Sequence, residues 1–239
     1  MYLNQILKSV NNRYSKIKLS GISFNSKTVK KNNIFFAIDG KNTSGEKYIH
    51  EAIKKKASVI VLKKKNKKIN ISIPIIYVDN PRKSLSEACS NFYKIKPKKL
   101  LAVTGTNGKT SVANFFYQIL NLINIPVATI GTLGIHSKKF KKKSDLTTAD
   151  PLSLHKNLQM LAKKKINNVI LEASSHGLQQ NRLDNLKFKI GIFTNLSQDH
   201  LDYHKNMKNY FNAKMYLFKS ILTRNSTIIT DKNNIQLNK

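Results

Sequence analysis

Residues 100–116 read LLAVTGTNGKTSVANFF. A short apolar run ends in a polar turn bracketed by glycines and gives way to apolar residues at helical spacing. A strand joined to a helix in this way collects backbone N–H groups and the positive end of the helix at one point, where a phosphate can bind. Gly105 and Gly108 permit close backbone approach, Lys109 neutralises phosphate charge, and Thr110 offers a hydroxyl to Mg2+. Val103 stands where the common eight-residue phosphate loop needs its first glycine, so the turn is the shorter G-x-x-G-K-T. This argues against a generic GTPase or helicase and for another class of nucleotide-binding protein.

The spacing after this turn continues the same architecture. Strands are predicted at 100–104, 127–130, 168–173, 189–194 and 227–230, separated by helical stretches, as in a mostly parallel sheet with crossover helices. The first of these helices places Val112, Phe115, Phe116, Ile119, Leu120 and Ile123 on one side, predicted to pack on the sheet. Asp150 and Pro151 read as the N-cap and first-turn proline of a helix carrying Leu154, Leu158 and Leu161. The first third reads as a smaller α/β unit, with strands at 34–38, 58–62 and within IPIIYVDN, a helix through Tyr48, Ile49, Ala52 and Ile53, and another opened by Pro81. KIKPKK at 94–99 reads as a linker. The expected fold class is therefore α/β, a small domain over 1–96 followed by a larger, incomplete one over 97–239.

Two further strand ends carry polar chemistry. The strand VIL delivers Glu172 to the carboxyl end of the sheet, where ligands bind in open α/β folds; beside a phosphate loop it is a candidate Mg2+ ligand. GIFT ends in a cluster containing Asn195, Asp199, His200, Asp202 and His204, whose spacing matches no common zinc pattern and points to a hard-cation site serving phosphates. Cys89 is the only cysteine, which excludes an intramolecular disulfide, and it falls in the stripe Leu85, Ala88, Cys89, Phe92 as a core residue. The formal charge is +31, yet only Arg13, Arg82, Arg182 and Arg224 are arginines, and the lysine runs are scattered. That pattern reads as solvated faces that attract a polyanionic substrate, and no nucleic-acid partner is expected. No apolar run reaches membrane-span length, and a cytoplasmic monomer is expected.

Together TGTNGKTS, LTTADP, EASSHGLQQNR, TNLSQDHLDYH and YFNAKMYLF, in that order, resemble the Mur ligases, in particular the branch that adds the third residue of the peptidoglycan peptide. GISFNSKTVKKNNIFFAIDGKNTSGEKYI resembles the UDP-binding N-terminal domain of that family, so the likeness covers nearly the whole chain. The resemblance implies an ATP-dependent amide ligase. ATP phosphorylates the D-Glu side-chain carboxylate of UDP-MurNAc-L-Ala-D-Glu, and a diamino acid, meso-diaminopimelate or L-lysine, attacks the acyl phosphate. It implies that Gly105, Thr106, Asn107, Gly108, Lys109, Thr110 and Ser111 hold the triphosphate, that Lys109 stabilises the γ-phosphoryl group, and that Thr110 and Glu172 bind one Mg2+. His200 and a carbamylated Lys214 would serve a second. Phe24, Ser26, Lys41, Asn42 and Thr43 would read the UDP-sugar in the first domain, and Thr147, Thr148, Ser174, Gln180 and Arg182 the peptide in the second.

Three departures accompany this likeness. Asn25-Ser26-Lys27 stands where the family has Asp-Ser-Arg, Ala149 replaces a common proline, and the family's C-terminal amino-acid-binding domain is absent from the chain. Catalysis is therefore not expected of this chain alone. Another ligase of the superfamily, such as a folylpolyglutamate synthase, shares the phosphate loop, and a basic nucleic-acid-binding fragment is the alternative from a different class.

Overall fold

The computed structural model describes residues 1–8, 10–40, 43–64 and 69–231, which form two units, Met1–Lys94 and Ile95–Lys239. The first begins with a single helical turn, α1 (Leu3–Ile6), and is built on four parallel strands in sequential order, β1 (Gly21–Ser23), β2 (Asn33–Phe36), β3 (Val59–Lys63) and β4 (Ile75–Val78). Every residue of β2 is buried, as a strand covered on both faces requires. Helix α2 (Ile49–Lys54) buries Ile49 and Ala52 against Phe35, Ile60 and Leu62. Helix α3 (Pro81–Phe92) starts where predicted: Asn80 caps it by accepting from the Arg82 and Lys83 N–H groups, and Leu85, Ala88 and Cys89 are buried. β1 was not legible in the sequence, since three residues, two of them Gly and Ser, carry little strand signal.

The second unit is a seven-stranded sheet in the order β11-β10-β5-β9-β6-β7-β8. Its parallel part comprises β5 (Lys99–Thr104), β6 (Val127–Gly131), β9 (Asn168–Glu172), β10 (Phe188–Phe193) and β11 (Thr227–Thr230), all at positions the apolar runs predict. The sequence reading lacks the antiparallel edge of β7 (Gly134–Ser137) and β8 (Phe140–Lys142), because β7 has a single large apolar residue, Ile135, and β8 is two-thirds lysine, which hides the alternation. Helices α4 (Lys109–Leu122), α5 (Pro151–Lys163), α6 (Ser175–Gln179), α7 (Leu201–His204) and α8 (Met207–Tyr216) complete the unit, α8 ending in a π turn at Leu217–Ile221.

Strand alternation splits the core. Leu100, Ala102, Val169 and Leu171 meet Leu154, Leu158 and Leu161 of α5 on one face, while Leu101, Val103 and Ile170 meet Ala113 of α4 on the other. The Asp150 side chain caps α5 by accepting from the Ser153 N–H at 2.9 Å. The predicted face of α4 needs correction. Ala113 and Tyr117 are buried, Val112 and Phe116 are partly so, and Phe115, Ile119 and Ile123 are each 60% exposed. The apolar arc of α4 is wider than its footprint on the sheet, and periodicity alone does not say which flank of a wide arc faces inward.

Candidate functional site

The turn after β5 is held in shape from both sides. Gly105 and Gly108 adopt φ of +148° and +84°, a region open to glycine, and a Cβ at Gly105 would lie 1.9 Å from the Thr194 hydroxyl. The end of β10 latches the loop. Asn107 N–H donates to Asn195 Oδ1 at 2.9 Å, Thr194 Oγ1 donates to the Asn107 carbonyl at 2.6 Å, and Thr106 N–H donates to the Asn195 carbonyl at 2.9 Å. Lys109 folds back, its ammonium donating to the carbonyls of Gly105 and Thr106 at 3.0 and 2.8 Å.

Glu172, at the end of β9, is 3% exposed and accepts from three neutral donors. These are Thr132 N–H at 3.1 Å, Thr132 Oγ1 at 3.0 Å and Thr110 Oγ1 at 2.9 Å. Gly131 makes room for it, since a Cβ there would lie 2.0 Å from Glu172 Oε1. Lys214, on α8 and 1% exposed, donates to the Gly105 carbonyl at 2.7 Å, with its ammonium 4.2 Å from the ring centre of Tyr210. Burial first, and then the Lys109 charge, pull the Lys214 ammonium down to about 7. Burial also lowers Lys109, where Glu172 and Asp199 oppose it.

These groups line one cavity of about 240 Å3, formed by residues 106–111 with Thr132, Thr147, Glu172, Ser174, Ser175, His200, Tyr210 and Lys214. The structure thus brings together most of the predicted loop, metal and carboxylate-end residues. Thr132, Ser175 and Tyr210 were missed. Thr132 follows a strand end, which could have marked it, whereas Tyr210 reads in the sequence as one more apolar helix residue.

Behind this lining, Thr148 Oγ1 donates to the Glu172 carbonyl at 2.7 Å and shares a 3.0 Å bond with Ser174 Oγ. Arg182 spans the Thr148 carbonyl and Gln180 Oε1, and Gln180 Nε2 donates to the Tyr203 hydroxyl at 3.2 Å. The polar cluster after β10 does not converge. Asn195 serves the loop, Asp202 is exposed, His204 is buried against Ser175, and His200, at φ +51°, meets Asp199 at 3.5 Å. Among the described residues no three His, Cys, Asp or Glu side chains are placed to hold a metal.

In the first unit, Ser26 is buried and donates to Glu51 Oε2 at 2.6 Å, and this bond together with Lys55 lowers the Glu51 carboxyl. Asn25 accepts from the Lys27 N–H, closing the turn at the departure from the family pattern. Phe24 is 37% exposed and Thr43 is exposed; Lys41 and Asn42 lie outside the described residues.

A parallel sheet whose strand-to-helix turn, buried carboxylate and lysine pair share one cavity defines an α/β protein of the phosphate-loop kind. Comparison with known proteins agrees and goes further. Residues 103–238 match the Mur ligase middle domain, and residues 18–93 match the Mur ligase family catalytic domain. The chain belongs to the Mur ligase family.

Among its curated relatives is a UDP-N-acetylmuramoyl-L-alanyl-D-glutamate--2,6-diaminopimelate ligase from Brucella melitensis biotype 1, 39% identical over 214 residues, covering 90% of this chain and 44% of that protein. Ligases of the same name from Rickettsia montanensis and Wigglesworthia glossinidia brevipalpis are 43% and 44% identical, covering 90% and 87% of this chain and 46% and 43% of theirs. The chain thus spans somewhat under half the length of these relatives. A solved structure of a ligase of that name superposes with a TM-score of 0.82 at 24% identity, over 98% of this chain and 53% of its own, a likeness of fold. Among the described residues no helix is long and apolar enough to cross a membrane.

Proposed function

We propose that this chain is the ATP- and UDP-substrate-binding part of a cytoplasmic ligase that joins a diamino acid to UDP-N-acetylmuramoyl-L-alanyl-D-glutamate. The carrying observation is the single cavity in which Lys109, the Thr110–Glu172 pair and Lys214 converge on the phosphate turn. The substrate class comes from the names of relatives 39 to 44% identical to this chain.

In this reading Lys109 exchanges the Gly105 and Thr106 carbonyls for phosphoryl oxygens and holds charge on the transferred group. The acceptor carboxylate attacks the γ-phosphorus and ADP leaves; the incoming amine then attacks the acyl carbon and inorganic phosphate leaves. Thr110 and Glu172 fit one Mg2+, because their donors are oxygens and the buried carboxylate meets only neutral partners in its three hydrogen bonds. Bound there, that ion would neutralise phosphate charge. Lys214 as an ammonium does not fit a second cation. Its neutral amine can attack CO2, forming an N–C bond and releasing one proton, to leave a carbamate anion in the cavity that His200 also lines. Thr147, Thr148, Ser174, Gln180 and Arg182 are assigned to the peptide, and Phe24, Ser26, Lys41, Asn42 and Thr43 to the UDP-sugar.

Calorimetric titration tests this reading, using the unaltered chain and Lys109→Ala against a magnesium-bound non-hydrolysable ATP analogue and the UDP-dipeptide. The variant should lose about tenfold or more in nucleotide affinity while its UDP-dipeptide affinity holds. Binding of neither ligand by the unaltered chain overturns the reading, and salt-dependent DNA binding in their place would favour the basic nucleic-acid alternative.

A further inference from the structure

Ser174 and Ser175 stand side by side at the start of α6, and both line the cavity. Their hydroxyl protons have different fates. Thr148 gives its own proton to the Glu172 carbonyl, so in the 3.0 Å bond between Thr148 and Ser174 the serine is the donor. Ser174 Oγ also accepts from the Gly177 N–H at 3.1 Å as the helix cap. Its proton and one lone pair are therefore committed inside the protein.

Among the described residues the Ser175 hydroxyl meets only a ring nitrogen. His204, 2% exposed, places Nε2 at 2.9 Å from Ser175 Oγ, and its Nδ1 has no hydrogen-bond partner among the described residues. Two neutral tautomers are open to it. If Nε2 were bare and accepted the serine proton, a buried Nδ1–H would be left unpaired. If Nε2–H donates to the serine, only a lone pair goes unused. Orphaned buried N–H groups are rarer in folded proteins than under-used acceptors, which selects the second tautomer. The rings of His176, Tyr203 and Tyr210 surround the imidazole, with centres 5.3, 4.9 and 5.1 Å away, and hold its orientation.

We infer that His204 is a positioning residue which turns the Ser175 hydroxyl proton into the cavity, toward an anionic carboxylate or phosphoryl oxygen of the ligand. The choice of ligand rests on the function proposed above; the hydrogen-bond direction does not.

Two measurements on the 239-residue chain test it. In 15N spectra of histidine-labelled protein at neutral pH, His204 should carry its proton on Nε2; a proton on Nδ1 overturns the inference. Titrations then use the magnesium-bound ATP analogue and the UDP-dipeptide separately. Ser175→Ala should lower affinity about tenfold for one of them, phosphoryl contact showing with the analogue and carboxylate contact with the dipeptide. His204→Gln, which keeps an N–H at the Nε2 position, should retain affinity that His204→Leu loses. Affinities for both ligands within twofold of the unaltered chain in Ser175→Ala overturn the inference. Failure of the unaltered chain to bind either ligand overturns the ligand assignment with the function, while the tautomer is still decided by the spectrum.

Discussion

Replacing Gly131 by alanine separates the role of the Glu172 carboxylate from its presence. Gly131 ends β6 with ordinary backbone angles, so alanine causes no backbone strain of its own. The new methyl carbon would lie 2.0 Å from Glu172 Oε1, 2.4 Å from Cδ and 2.6 Å from Cγ. Ordinary contact begins near 3.4 Å, so the side chain must move by roughly 1 Å. Its hydrogen bonds to Thr110, Thr132 Oγ1 and Thr132 N–H measure 2.9, 3.0 and 3.1 Å, and none survives that displacement in good geometry. Even if water restores most of the solvation, a net loss of about 2 kcal/mol is expected, roughly thirtyfold in affinity for a magnesium-bound nucleotide. Titration with and without Mg2+ reads this directly: the unaltered chain should bind more tightly with the ion, and Gly131→Ala should be nearly indifferent to it. A variant that keeps the full magnesium effect would refute the reasoning that Glu172 is held in place for a cation.

Two further outcomes depend on pH. Lys214 is an ammonium below about 7 and a free amine above it, so 13CO2-treated protein should show a carbamate resonance at pH 8 that fades at pH 6 and is missing in Lys214→Ala; a resonance independent of Lys214 refutes the assignment. His155 is 0% exposed, both its ring nitrogens lack hydrogen-bond partners among the described residues, and burial holds it down to about 3. The unfolded chain takes up this proton near pH 6.5 and the folded one only near 3, so stability falls as pH drops through that window. The loss from this residue is about 1.4 kcal/mol per pH unit, or about 2 kcal/mol between pH 6.5 and 5. Urea titrations at both pH values should show His155→Leu losing correspondingly less than the unaltered chain; equal losses would contradict the burial argument.

The parts of the fold that could be read from the sequence are those in which one residue type has one physical use. Of the five parallel strands, β5, β6 and β9 are buried along nearly their whole length and stand out as apolar runs, β10 is partly buried and β11 is an exposed edge, and the Asn80-Pro81 and Asp150-Pro151 helix starts use side chains whose capping chemistry is local. Glu172 was legible because a carboxylate at the end of an apolar strand has few structural uses. The β7–β8 hairpin, the footprint of α4 and the contribution of Tyr210 were not legible. The hairpin pairs with β6, its neighbour in the chain, but its strands are too short and β8 too rich in lysine to show alternation, whereas the footprint of α4 depends on the sheet and Tyr210 on Thr106, far away in the chain. Ser174 and Ser175 are indistinguishable as sequence, since what divides them is the direction of bonds to Thr148 and His204.

The same dependence on surroundings gives two lysines opposite chemistry within one cavity. Both donate to the Gly105 carbonyl, Lys109 at 3.0 Å and Lys214 at 2.7 Å, so one acceptor holds the two amines close together. Lys109 has a second carbonyl on Thr106 and the fields of Glu172 and Asp199, which favour its charge. Lys214 is more deeply set, feels Lys109 as a repelling neighbour, and is the one that gives up its proton near neutrality. Burial lowers both lysines and Asp199 opposes it in both, so the difference lies in Glu172, which supports the charge of Lys109, and in Lys109 itself, which opposes that of Lys214. Under the proposed function Lys109 is the lysine assigned to phosphate and Lys214 the one assigned to reaction with CO2. Entry of an anion gives Lys109 a better partner than its own loop and, because a negative charge in the cavity favours both ammonium groups, should raise the pH at which Lys214 gives up its proton.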